Sequence, residues 1–107
     1  MGPRALTIVL FAFVAACQGP RPSVADVRVA PSPLAGRYRV EATITNQSRG
    51  EGQVDVQIHL RDRDSGKTVD DDRDLDLRGH EAAHFTADVA APTGNWSADV
   101  TAQYPPR

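Results

Sequence analysis

The sequence predicts an all-β body, an antiparallel sandwich of six to seven short strands, behind an N-terminal export signal. Three observations carry this. From Val24 onward apolar residues recur at every second position, with polar residues between them, the period of strands with one wet face. Clusters of Pro, Gly, Asn, Asp and Ser break the alternation into runs, as turns do. No run shows the three-to-four spacing of an amphipathic helix. That many short strands in about 80 residues reads as an immunoglobulin-like antiparallel β-sandwich.

The N-terminus comes first. Arg4 and the chain amine supply positive charge, and residues 5–16 form an apolar run interrupted only by Thr7. This is the layout of a secretory signal peptide. It is too short for a membrane-spanning helix, which needs about 20 such residues. It has no polar face, no N-cap and no C-cap, which argues against a buried core helix; Gly19-Pro20 with Pro22 follows at once. Cys17, the sole cysteine of the 107 residues, cannot form an internal disulfide, although exported chains of this size often depend on one.

Val14-Ala15-Ala16-Cys17 resembles the lipobox of bacterial lipoproteins. The resemblance implies cleavage before Cys17, a diacylglycerol on its sulfur and an acyl chain such as palmitate on its new amine. Two or more chains hold a protein firmly in a bilayer, whereas one does so marginally. Gln18 after the cysteine implies delivery to the outer membrane, periplasmic face, in an organism that has one. The expected organisation is therefore residues 1–16 as signal peptide, 17–23 as lipidated Cys and extended tether of about 20 Å, and 24–107 as the sandwich.

Within the body, Val27 and Val29 open the alternation. Tyr38, Val40, Ala42 and Ile44 form the second run; Val54, Val56, Ile58 and Leu60 form the third. Residues 67–77 are irregular. A single register would turn Asp71 and Arg73 inward with Val69, Leu75 and Leu77, so a bulge or a short edge strand is expected there. Phe85, Ala87 and Val89 follow, then Trp96, Ala98, Val100, Ala102 and Tyr104. Turns are expected at Pro31-Ser32-Pro33, residues 46–52, Asp64-Ser65-Gly66, Arg78-Gly79 and Pro92-Thr93-Gly94. Leu, Ile, Val and Phe are sparse after the leader, so the core should be thin and marginally stable. Trp96, Tyr38, Phe85 and Tyr104 are expected to supply much of its buried area.

Ile44-Thr45-Asn46, Gly52, Val54, Val56, Leu60-Arg61-Asp62 and Gly66, with the turn Leu77-Arg78-Gly79-His80-Glu81 before Phe85, resemble bacterial Ig-like modules of the CARDB and FxLYD kind. Arg61 stands where FxLYD modules usually have Tyr, and His80 separates Gly79 from Glu81. The resemblance implies a binding or scaffolding role and carries over no functional residue.

Several strings carry possible chemistry. His80-Glu81-Ala82-Ala83-His84 matches H-E-x-x-H, which binds zinc because a helix sets its two His one turn apart. Here it passes from a turn into a strand, and two surface His are expected. Ser65-Gly66-Lys67-Thr68 lacks the earlier Gly of a phosphate loop and the helix after it. Asp62, Asp64, Asp70, Asp71, Asp72, Asp74 and Asp76 crowd fifteen residues. Several of them, Asp62, Asp64, Asp70, Asp71 and Asp72, would be the ligands if two hairpin arms converged on Ca²⁺; a charged edge that resists aggregation is the simpler expectation. Asn46-Gln47-Ser48 and Asn95-Trp96-Ser97 are glycosylation sequons by string only.

The chain has 12 basic and 14 acidic residues, a formal charge of −2 that becomes −3 without Arg4. The arginines are interleaved with acids, so no basic face for nucleic acid is expected. There is no Gly-x-Ser-x-Gly and no second cysteine to act as nucleophile. Length and charge exclude a multidomain enzyme and a multi-span membrane protein. The expectation is a non-enzymatic envelope lipoprotein without cofactor that binds another envelope protein. The competing readings are a small zinc-dependent hydrolase using His80, Glu81 and His84, and a Ca²⁺-dependent adhesion module using the Asp62–Asp76 stretch.

Overall fold

The structure, a computed structural model, describes residues 19–106, so the leader and Cys17 lie outside it. The described residues contain six strands and no helix: β1 Pro22–Pro31, β2 Arg37–Asn46, β3 Gly52–Asp62, β4 Thr68–Leu77, β5 Ala82–Ala90 and β6 Trp96–Gln103. They form two three-stranded sheets, β1-β2-β5 and β4-β3-β6, antiparallel throughout. The chain makes a hairpin in each sheet (β1–β2, then β3–β4) and crosses to the first sheet for β5 and back for β6. This is the expected immunoglobulin-like β-sandwich.

The alternation in the sequence becomes the two sides of each sheet. Val40, Ala42 and Ile44 of β2 face Val54, Val56, Ile58 and Leu60 of β3, all at most 1 % exposed. Phe85, Val89, Val100 and Trp96 complete the core. Burial of these side chains is the main stabilising term, about 1.5–3 kcal/mol for each large one. The Tyr38 ring tilts against Trp96 with centroids 6.3 Å apart, and its hydroxyl donates to the Gly94 carbonyl at 3.1 Å. Tyr104 departs from expectation. It lies beyond the end of β6, 43 % exposed, because the chain leaves the sheet at Gln103.

Residues 67–77 hold the edge strand expected there, but it is neither short nor bulged. β4 is a regular ten-residue strand in unbroken register with β3, from Thr68 opposite Arg61 to Leu77 opposite Gly52. Asp71 and Arg73 do share the side of Val69 and Leu75. They are tolerated because β4 is an edge strand, where a polar head reaches solvent at the sandwich margin. The Arg73 guanidinium pairs with Asp71 and donates at 3.1 Å to the Asp88 carbonyl of β5. It thereby bridges the two sheets on their open side, while β1 lies along β6 on the other. The bulge occurs in β1 instead, between Ala25 and Arg28, with Asp26 at φ 55°.

β1 begins at Pro22, two residues before Val24, and the segment ahead of it is already fastened. Pro20 is buried. Gly19 lies so close to the Tyr104 ring that any side chain there would strike it. The Ser48 hydroxyl donates to the Gly19 carbonyl at 2.8 Å.

Candidate binding surface

The outward side of β4-β3-β6 concentrates the molecule's acidity. The alternation of β4 turns Asp70, Asp72, Asp74 and Asp76 outward. The register sets them beside His59, Gln57, Asp55 and Gln53 of β3. Asp99 and Thr101 of β6 flank His59 and Gln57 from the other side. Six carboxylates thus share a face on which Arg61 is the one arginine or lysine of the described strands. Asp55 is only 5 % exposed and accepts from Gln57 Nε2 at 3.2 Å. A shallow depression of about 460 Å³ runs across the face, lined by Gln57, His59, Asp70, Asp72, Asp99 and Thr101. His59 Nδ1 meets Asp70 Oδ1 within it. His59 stands between Ile58 and Leu60 in the two-residue alternation and so points outward, but only the pairing of β3 with both neighbours reveals carboxylates on either side of it.

The other sheet's outward face is balanced by comparison. Arg28, Arg37 and Arg39 share it with Glu41 and Asp88. Arg39 Nε donates to Asp88 Oδ1 at 3.2 Å. That bond first, then the Ser32 hydroxyl and the nearby arginine charges, hold the Asp88 carboxyl below its ordinary range.

The aspartates that the sequence offers for Ca²⁺ are dispersed. Asp62 is buried at the end of β3 and serves the loops. Its carboxylate accepts from the Ser65 hydroxyl at 2.8 Å and the backbone N–H groups of Asp64 at 3.1 Å and Asn95 at 3.2 Å. The Ser65 bond leads in lowering its pKa. Asp64 lies in the exposed turn beyond it. Asp70 and Asp72 point outward, and Asp71 lies on the opposite side with Arg73. No group of three or more His, Cys, Asp or Glu among the described residues is placed to hold a metal ion.

The H-E-x-x-H residues are equally separated. His80 sits in the β4–β5 turn at φ 56°. Glu81 turns its carboxylate back to accept from the Arg78 N–H at 2.9 Å. His84 stands on the outward face of β5 with Nε2 3.7 Å from Glu41. A strand path carries the two rings apart, where a helix would superpose them. Residues 65–68 close the β3–β4 turn, with Gly66 at φ 76°, and no helix follows.

A crystal structure of a DUF1425 family member from Shewanella sp. pv-4 is similar to this chain, with a TM-score of 0.59 and 21 % identity over 78 % of each chain. At that identity the likeness speaks for the fold alone. No family model matches the sequence, and no curated protein does.

Proposed function

We propose that this protein is a non-enzymatic envelope lipoprotein, held by acyl chains on Cys17 at the periplasmic face of the outer membrane, whose sandwich binds another envelope protein. The observation that carries the binding role is the acidic sheet face. Its carboxylates are spread along three strands at intervals set by the sheet, about 4.8 Å between strands and 6.8 Å between alternate residues. That spacing suits an extended cationic partner surface better than a single ion or a reacting atom. Partner affinity then depends on charge complementarity and should weaken as salt screens it.

The test is photo-crosslinking in intact envelopes from a probe placed at Thr101, which lines the depression. A discrete crosslinked partner that disappears with Asp72→Lys plus Asp99→Lys supports the reading. Unchanged crosslinking with the double variant overturns it. Turnover of peptides or esters by the purified protein, abolished by substitution of a named residue, would overturn the non-enzymatic assignment.

A further inference from the structure

We infer that one end of the sandwich, formed by Arg21, Arg49, Arg78 and Tyr104, rests on an anionic lipid surface and sets the domain's orientation on the membrane. This rests on the lipid-anchor reading above and adds to it a contact surface of the folded body.

The argument begins with covalent reach. Cys17 and Gly19 are two residues apart, so their Cα atoms are separated by at most about 7 Å. Gly19 is not on a loose tether. Its carbonyl is held by Ser48, its Cα is packed under Tyr104, and the Arg21 N–H two residues on donates to Asn46 Oδ1 at 3.0 Å. An acylated Cys17 therefore brings this end of the body to the headgroups and leaves little room for tumbling.

The side chains at this end suit that position. Arg21, Arg49 and Arg78 are exposed, and among the described residues none of them has an ion-pair partner, whereas Arg39 and Arg73 do. The Arg21 guanidinium donates to the Gln47 carbonyl at 3.4 Å. His80 is exposed beside them. Of the acids here, Glu81 is turned toward the Arg78 backbone, while Glu51 and Asp76 are exposed. Tyr104 is one of two large apolar side chains exposed among the described residues, and tyrosine favours the headgroup region. The other, Leu34, is at the far end, in the β1–β2 loop. Each arginine near an anionic surface shifts such an equilibrium roughly fivefold. The acidic face is then held upright, with Asp76 at its lipid end and Asp70, Asp72 and Asp99 farther from the like-charged surface.

The full chain with its leader is purified from envelopes, checked by intact mass for cleavage and acylation, and reconstituted into vesicles. One set is phosphatidylcholine, the other phosphatidylcholine with phosphatidylglycerol. Spin labels are placed by Gln47→Cys at the anchored end and Ala35→Cys at the far end. The expected result is strong relaxation of the Gln47 label by a lipid-borne nickel chelate in the anionic vesicles, weaker in the neutral ones, with the Ala35 label unaffected in both. Arg49→Glu with Arg78→Glu should remove the difference. About 1 M salt, at a screening length near 3 Å, should remove it without any substitution. An acylated chain whose Gln47 label behaves identically in both vesicles overturns the surface. An unacylated chain, detected by mass before labelling, overturns the anchor reading and the surface with it.

Discussion

The two ends of the sandwich are each closed by one buried polar side chain at the end of a strand, and the two work differently. Asn46 ends β2 at the end where the chain enters, 1 % exposed. Its Oδ1 accepts from the Arg21 and Ser48 N–H groups, and its Nδ2 donates to the carbonyls of Gly50 at 2.8 Å and Arg78 at 2.9 Å. Asp62 ends β3 at the opposite end and only accepts. An amide can satisfy both halves of the peptide group and carries no charge, so it can tie three chain segments in a dry place. A carboxylate gathers N–H and O–H donors alone, and it fails when protonated. The entry end should therefore be indifferent to pH and the far end sensitive to acid.

The largest expected effect comes from forcing the entry end to behave like the far one. Asn46→Asp leaves the Gly50 and Arg78 carbonyls facing a buried carboxylate, at a cost of about 4 kcal/mol at neutral pH. Because protonation restores one donor, the deficit against the wild type should shrink on acidification, as urea denaturation at pH 7 and pH 4.5 would show. Asn46→Ala removes all four bonds without adding charge and should cost about 3 kcal/mol at either pH. A pH-dependent loss with alanine would break the comparison.

Gly79→Ala follows. A Cβ there would lie 2.5 Å from the Arg49 carbonyl oxygen, where the β4–β5 turn crosses the β2–β3 loop and the His80 N–H donates to the Ser48 carbonyl at 2.9 Å. Backbone must shift, and a loss of about 2 kcal/mol is expected from the melting curve.

The smallest effect, and the sharpest discriminator, is at Asp62. Its pKa is lowered in the folded state, so its contribution is present above the ordinary carboxyl value near 4 and is lost as pH falls through the lower folded value. Asp88 behaves in the same sense through Arg39. Asp62→Asn should flatten part of the acid limb of the stability curve and leave the Asp88 part. In NMR titrations the Asp64 and Asn95 amides should shift with the carboxylate, while those of Arg21 and Ser48 should not. Equal shifts at both ends would dissolve the distinction.

Periodicity made the strand interiors legible: Val54, Val56, Ile58 and Leu60 lie in the core as their spacing indicates, and the five expected turns join the strands. The places where expectation and structure part are edges and ends. Asp71 and Arg73 argued for a bulge or a short edge strand; β4 is an edge strand, but ten residues long and unbulged, because at the sheet margin charged heads escape sideways without a break in register. Tyr104 continued the alternation in sequence but passed beyond the last paired residue. Asn46 and Asp62 were visible as a strand end and a member of an acidic run. Their roles depend on Arg21, Gly50, Arg78 and Asn95, which other segments bring to them.

By itself, then, the sequence determined which side of each strand is apolar, because a two-residue period is a local property of an extended chain. The tertiary structure alone decided which polar side chains meet. Strand order and register placed His59 between Asp70 and Asp99, separated His80 from His84, and set Arg73 across to β5. Such meetings depend on pairing between distant segments, and no window along the chain contains that information.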